Sequence, residues 1–496
     1  MSGETRAPRF VRMARSLILL ACLASTACVT VPLEDREWVT LQSEHYDVLS
    51  SLRDDPRKFA IRLEAFRAAA EAVWGLRIPD APVRTRVIVM DDRSVDRLFN
   101  RRSELAYLLP SPDGDTLVFR GGNGWGDIRE AWRLIYARRL FWNASREPHP
   151  AWFEEGMAQV ASTLNSWPGG ASLGVLQRSH VRLLRNTPWL PLSRIITAEG
   201  AHALPARDRE LFEAQAWATA HYLQFHEPEH GDWAQKLENF RALRGHGAGR
   251  AFRSTWGDPD ELHRPILRYV ADREMPFVDA RIGRPERTTD PRPATRTEVL
   301  AALGELSLAL DRPDDALDFF EQALEEAPDS PRARAGLAAA RADLGDPESA
   351  LDDFEKALEQ SPSNHWIQKG FADLLLAESM RDRSTPDPAL LDRARSLYIA
   401  VTQEEGRIPA AHLGLAASYL LPGEDAASGR PHAARARRLL PGDAEVARVV
   451  TELALADGDR EAAERSLSSL HSRARSDEEV EMAEALRRAF EGPSNR

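Results

Sequence analysis

His226-Glu227-Pro228-Glu229-His230 places two imidazoles four residues apart with a glutamate between them, the spacing by which one helix face holds a zinc ion and a general base. That geometry needs an unbroken helical turn. Pro228 removes a backbone donor and clashes with the turn before it, so the expected state is a surface loop. This loop ends a helix running through Leu211, Trp217 and Leu223, and Gly231-Asp232 then caps a new helix at Trp233. His149, His221 and His263 stand alone without ligand spacing and read as structural histidines. No Gly-x-Ser-x-Gly elbow presents a serine nucleophile, and no acid pair has a spacing that marks it for glycosidase work. The loop Gly121-Gly122-Asn123-Gly124-Trp125-Gly126 lacks the Gly-Lys-[Ser/Thr] ending of a phosphate loop. Both cysteines, Cys22 and Cys28, lie near the N-terminus, which leaves the body of the chain without a thiol nucleophile, a disulfide or a Cys-held metal.

A second group of residues carries more specific information. Asp127-Ile128-Arg129-Glu130-Ala131-Trp132-Arg133-Leu134-Ile135 is followed by Ala151-Trp152-Phe153-Glu154-Glu155-Gly156-Met157-Ala158. The pairing resembles the peptidase MA-like domain of gluzincin-type metallopeptidases, where a helix with H-E-x-x-H precedes a second helix with W-x-x-E-G-x-A. The resemblance extends over most of residues 36–275 and implies a zincin-like α+β domain. It places Glu130 at the general-base position and Glu155 at the third-ligand position, while both histidine positions hold arginine, at Arg129 and Arg133. A guanidinium has five donors and no lone pair to give, so it repels a dication. A catalytic zinc is therefore physically implausible, and the resemblance implies a pseudoenzyme with no cofactor. Zinc enters only under the alternative of an active peptidase with unorthodox ligands, Glu130 acting as base and Glu155 on the metal.

Residues i and i+4 share a helix face, so a salt bridge from Arg129 or Arg133 to Glu155 is expected, the fixed cations standing in for the metal. Two plainer readings stay open. Asp127 and Glu130 form an Asp-x-x-Glu capping box for a helix starting at Ile128, and Glu154-Glu155 after Pro150 suits a solvated helix start favoured by the dipole.

These side chains must be positioned by more than one domain, because 496 residues exceed a single compact core. A hydrophobic share of 43% with 29% charged residues is that of a globular chain. With Lys+Arg 65 against Asp+Glu 77, the net charge of −12 offers no footprint for nucleic acid. Eleven of the twelve tryptophans precede residue 280. That shift in composition divides the chain into a domain at 29–278, a polar, proline-broken linker at 279–296 and a second domain at 297–492. In the first, strands are expected at Trp38–Leu41, Tyr46–Leu49, Val83–Met90 and Thr116–Phe119, with a helix from Phe59 to Val73.

In the second, a period of 34 pairs Leu303 with Leu337, Gly304 with Ala338, Ala316 with Ala350, Phe320 with Phe354, Ala323 with Ala357 and Pro328 with Pro362. This matches the tetratricopeptide pattern, in which small residues let paired helices approach, an aromatic fills the groove between them and proline ends the second helix. A third unit opens at Phe371-Ala372 with its second helix (Ala394, Tyr398, Val401) ten residues late. Two further helix pairs are expected near 412–441 and 447–467, and a polar capping helix from Asp477 to Phe490. The resulting all-α solenoid presents a concave surface suited to a protein or peptide partner.

Arg6, Arg9, Arg12 and Arg15 precede the apolar run Leu17 to Ala24, a secretory signal pattern too short to span a membrane. Leu23-Ala24-Ser25-Thr26-Ala27-Cys28 resembles a bacterial lipobox, with Ser25 where leucine is usual, and implies a signal at 1–28 with lipid attachment at Cys28. The expectation is an exported, membrane-anchored scaffold of the cell envelope.

Overall fold

The computed structural model describes residues 32–52, 55–80, 83–99, 106–121, 131–145, 149–167, 170–226, 233–243, 246–272, 275–281, 288–381, 384–404, 406–474 and 477–491. Cys28, Arg129, Glu130 and the Glu227–Asp232 segment lie outside these residues.

Alternation of apolar residues builds a six-stranded mixed sheet from β1 (Val39–Gln42), β2 (Tyr46–Ser50), β3 (Thr85–Asp91), β4 (Ala106–Leu109), β5 (Thr116–Gly121) and β9 (Arg292–Pro293), in the order β4-β5-β3-β2-β1-β9. The pairs β2/β3 and β3/β5 are parallel, and the other three are antiparallel. Successive side chains of a strand face opposite sides, and both sides of this sheet are buried. Val48, Val87, Val89, Leu117 and Phe119 meet α1 (Arg57–Trp74) and α3 (Ala131–Ala144) through Phe59, Leu63, Phe66, Trp132 and Tyr136. Ile88, Met90 and Val118 face the other way, onto Val95 and Leu98 of α2 (Asp92–Phe99) and onto Val299, Leu303 and Leu306 of α11 (Arg296–Ala309). The first repeat helix is thus part of the sheet's core.

The expected linker does more than connect. Its start, within β8 (Val278–Ala280), pairs with β7 (Gly170–Leu173) in a small sheet that also holds β6 (Asn165–Trp167), and its end supplies β9 against β1. A polar, proline-broken segment still pairs where an edge strand offers free backbone groups. The helices that complete this half are α4 (Ala151–Ser162), α5 (Arg178–Asn186), α6 (Leu192–Thr197), α7 (Ala206–Phe225), α8 (Trp233–Ala242), α9 (Ala248–Trp256) and α10 (Pro259–Ala271).

From residue 296 the chain is helical hairpins: α11 with α12 (Pro313–Glu326), α13 (Pro331–Asp343) with α14 (Pro347–Gln360), and α15 (His365–Ser379) with α16 (Pro388–Glu404). Next come α17 (Pro409–Ala417) with α18 (Ala426–Leu439), α19 (Ala444–Ala456) with α20 (Arg460–Arg473), and the final α21 (Asp477–Glu491). Local sequence sets the boundaries. Ser330, Asp346, Asn364, Asp443 and Asp459 accept backbone N–H groups at helix starts, and prolines 313, 331, 347 and 409 stand in first turns. Leu303, Ala316, Phe320, Ala323, Leu337, Ala338, Ala350, Phe354 and Ala357 are buried, and Pro328 and Pro362 stand exposed just past the ends of α12 and α14.

Phe320 is clamped between hairpins. A Cβ on Gly304 would lie 2.7 Å from its ring and one on Gly336 2.2 Å away. The same contact recurs between Phe354 and Gly370, at 3.2 Å, and between Tyr398 and Gly414, at 2.5 Å. Gly336, Gly370 and Gly414 each stand sixteen residues after their aromatic, and the ten-residue insertion before α16 leaves that spacing intact.

Candidate functional site

Two places in the molecule concentrate charged side chains away from water. The first is α4, whose residues Ala151 to Ala161 are all buried. Pro150 sets its start, and Gly156 lets it touch α7, where a Cβ would come within 2.5 Å of the Ala216 carbonyl. Neither acid of Glu154-Glu155 is solvated. Glu155 is 1% exposed and accepts from Arg138 Nε at 3.0 Å and Nη2 at 2.7 Å, and from Gln159 Nε2 at 2.8 Å. Arg138 also reaches Glu213 at 3.2 Å. Burial works against its charge, and the two glutamates more than restore it, raising its pKa. Beyond Gln159 lies His180, whose Nε2 is 3.1 Å from Gln159 Oε1. Desolvation pushes His180 down to about 4, with Glu155 opposing and Arg138 assisting.

The guanidinium that sits bidentately on Glu155 therefore comes from Arg138, a residue the sequence reading passed over. Arg133 lies half-buried on the same helix, five residues earlier and about 140° around it. The residue one turn before Arg138 is Leu134. The solvated helix start considered for Glu154-Glu155 is corrected, because both carboxylates are closed off by arginine. Glu154, 2% exposed, accepts from Arg473 at 3.1 and 2.9 Å and from the His149 backbone at 2.9 Å. Arg473 belongs to α20, so the pair ties the last hairpin to α4.

The second place lies between the two halves. The first helices of the hairpins turn toward the α+β domain, and the β4–β5 turn, Pro110 to Asp115, projects onto them. The turn is set by its own residues. The Gly114 N–H donates to the Ser111 carbonyl at 3.0 Å, the Asp113 N–H donates to Ser111 Oγ at 3.1 Å, and Gly114 has φ +123°, where a side chain is strained. Asp113 pairs with Lys369 of α15, which also contacts Asp373 at 2.8 Å, and Tyr398 donates to Asp373 at 2.6 Å. Asp115 takes two bonds from Arg139 of α3, at 2.9 and 2.7 Å. The same guanidinium reaches Asp443 at 3.0 Å, the residue that caps α19. Burial opposes the charges on Lys369 and Arg139, and their acids override it.

At the other end, Glu305 of α11 bridges Arg86 of β3, at 2.5 Å, and Arg332 of α13, at 2.6 Å. Desolvation favours its acid form, and the two arginines still hold it below the usual range. Between these anchors lies a cleft of about 760 Å³, bordered by Arg84, Arg86, Pro110, Glu305, Arg332 and Trp366. A second groove, of about 470 Å³, lies beyond the turn against α15, α17 and α19.

None of these anchors was legible as a site. Arg86, Arg138, Arg139 and Lys369 are ordinary charged residues on amphipathic elements. Their partners on other elements lie 17 to 304 residues away. One signal was available for the repeats, the aromatic and the glycine sixteen residues on, and it extends the period through the third hairpin.

Among the described residues no three His, Cys, Asp or Glu side chains converge as a metal site. None of the described helices is long and apolar enough to cross a membrane. No curated protein sequence matches the chain. Solved structures similar to it include a thermophilic tetratricopeptide-repeat protein of Thermus thermophilus, at 24% identity over 38% of this chain and 98% of that one, TM-score 0.35. Pseudomonas aeruginosa pilF follows at 18% identity, 39% and 84% coverage and TM-score 0.33, and the type IV pilus biogenesis factor PilW at 12%, 40% and 87%, TM-score 0.33. A tetratricopeptide-repeat family profile matches residues 307–352, which supports tetratricopeptide repeats among the helical hairpins of the C-terminal half.

Proposed function

We propose that this chain is an exported, lipid-anchored interaction scaffold of the cell envelope, in which a metallopeptidase-like domain without catalytic activity carries a tetratricopeptide surface for protein partners. The observation that carries the reading is the closure of Glu155. Both carboxylate oxygens accept hydrogen bonds from Arg138, and Gln159 adds a third to one of them. A zinc ligand must offer a lone pair toward the metal, and here a fixed cation occupies that side of the carboxylate. On the resemblance to peptidase MA-like domains, the helix opposite the third-ligand glutamate supplies imidazoles. The closure of Glu155 by Arg138 does not depend on assigning the motif to Arg129 and Arg133. The residues present do not fit zinc.

The repeats supply the partner surface, since stacked hairpins hold extended or helical segments of other proteins. The acidic net charge leaves nucleic acid out of account. Cys28 at the end of the signal-like segment is the point of lipid attachment, although one acyl chain binds a membrane only marginally.

Metal analysis of the purified mature chain tests the central claim. The expected result is no stoichiometric zinc and no peptide hydrolysis, with or without Glu155→Ala. Zinc that disappears in Glu155→Ala, together with proteolysis stopped by a chelator, would establish the active peptidase instead. Labelling with a radioactive fatty acid is expected to mark the native chain and to be lost in Cys28→Ser.

A further inference from the structure

We propose that the β4–β5 turn is a built-in occupant of the repeat groove, and that the partner displacing it is a protein segment with an aspartate directly after a large apolar residue. The proposal rests on the scaffold reading above and names the chemistry of its partner.

The seat is built for a carboxylate. Lys369 is 19% exposed and lies between Asp373, at 2.8 Å, and Asp113 of the turn. Tyr398 donates to Asp373 at 2.6 Å and holds it in place. A half-enclosed ammonium that loses Asp113 keeps a donor without an acceptor, so whatever replaces the turn must bring one. An anionic acceptor reproduces the present charge balance, and a neutral or cationic side chain does not.

The residue before Asp113 defines the second requirement. Pro112 and Asp113 together border the groove of about 470 Å³, whose walls are Leu376 of α15 with Met380 just past its end, Leu413 and Ala417 of α17, and Val449 of α19. That volume falls within the ~300–1,000 Å³ of small binding pockets. The proline ring is smaller than the side chain of leucine or phenylalanine. A leucine or phenylalanine in the same position brings more apolar area to these walls than the proline does. The groove thus continues an interface already formed within the chain, and its charge and its apolar lining point to one kind of segment.

The turn is also placed to compete. Asp115 stays clamped to Arg139 by two hydrogen bonds, and the Ser111–Gly114 bond closes the turn independently of Lys369. Asp113 can leave its seat without breaking either, and it returns at the high effective concentration of a tethered ligand. A partner must therefore exceed the turn's own affinity, which sets a threshold on recognition.

The test uses a fluorescent peptide with the residues of segment 108–118 and Pro112 replaced by leucine, titrated into the full mature chain. Binding to Asp113→Asn is expected to be at least about tenfold tighter than to the unsubstituted chain. It is expected to vanish when Lys369→Gln is added, and to weaken about tenfold when the peptide keeps its proline. Asp113→Glu retains the charge and is expected to bind as weakly as the parent. Hydrogen exchange on the unsubstituted chain needs no variant: saturating peptide should raise exchange at 110–115 and lower it in α15. Equal affinity for parent and Asp113→Asn, binding that survives Lys369→Gln, or an unchanged turn under saturating peptide each overturns the proposal. Self-association of Asp113→Asn without peptide binding also overturns it, making a second copy the occupant. Envelope proteins captured equally by parent and Lys369→Gln would leave the scaffold reading standing while removing this seat. Capture by neither would remove the scaffold itself.

Discussion

Glu154 and Glu155 are neighbours in the chain, and each meets a different arginine. Glu155 pairs with Arg138 inside the domain, and Glu154 pairs with Arg473 across to the repeats. Removing one partner of such a pair leaves a buried charge unmet, which costs about 3–5 kcal/mol, whereas replacing both with apolar groups is often neutral. Glu155→Ala should therefore destabilise the chain by about 3 kcal/mol, and Arg138→Met combined with Glu155→Leu should recover most of that loss. Denaturant unfolding of the four chains in the cycle measures the coupling, and additive effects would mean that the pair is not a unit.

The buried histidines set a pH dependence at the same scale. His221 contacts Tyr269 at 2.6 Å and the Gly174 carbonyl at 2.8 Å, and desolvation lowers it to about 4, as it does His180. A base lowered from its ordinary value near 6.5 takes up protons in the unfolded chain before the folded one. Its contribution is complete above pH ~6.5 and is lost as pH falls toward 4, up to about 3 kcal/mol for each. The melting temperature of the native chain should drop across that window, and His221→Gln should flatten the decline. An unchanged slope in the variant would show that His221 does not carry it.

At the scale of elements, the repeats are organised by aromatic rings pressed onto glycines. Replacing a helical glycine by alanine gains about 1 kcal/mol of propensity, yet a Cβ on Gly336 would lie 2.2 Å from the Phe320 ring. Gly304 crowds the tip of the same ring, with its own Cβ position 2.7 Å away. Strain of about 1–3 kcal/mol or more outweighs the propensity gain. Gly336→Ala should lower the melting temperature, and Phe320→Leu in the same chain should restore part of the loss. Restoration absent in the double variant would place the strain elsewhere. The spacing of sixteen from aromatic to glycine makes the same expectation for Gly414 under Tyr398.

At the scale of the molecule, the two halves share a core. Val299, Leu303 and Leu306 of α11 cover Ile88, Met90 and Val118, and β9 closes the edge of β1. Each large apolar side chain uncovered forfeits about 1.5–3 kcal/mol. A fragment ending at residue 291 should therefore be poorly soluble and bind a hydrophobic dye, and extension through α11 to residue 310 should restore a cooperative transition. Equal behaviour of the two fragments would show that the sheet does not need its repeat helix.

Much of this architecture was written in local pattern. Period-2 alternation placed four strands near their observed bounds, and period 34 found the repeats, because backbone geometry and capping act over a few residues. The chain also shows on its face that arginine stands where the resemblance expects imidazole. Only the tertiary structure decided which arginine meets Glu155, that the expected linker joins two sheets, and that the β4–β5 turn lies on the repeat helices. Each of these depends on groups brought together across long stretches of chain. An arginine carries the same charge whether it is solvated or clamped, so its type cannot reveal its partner, and no local periodicity encodes that choice.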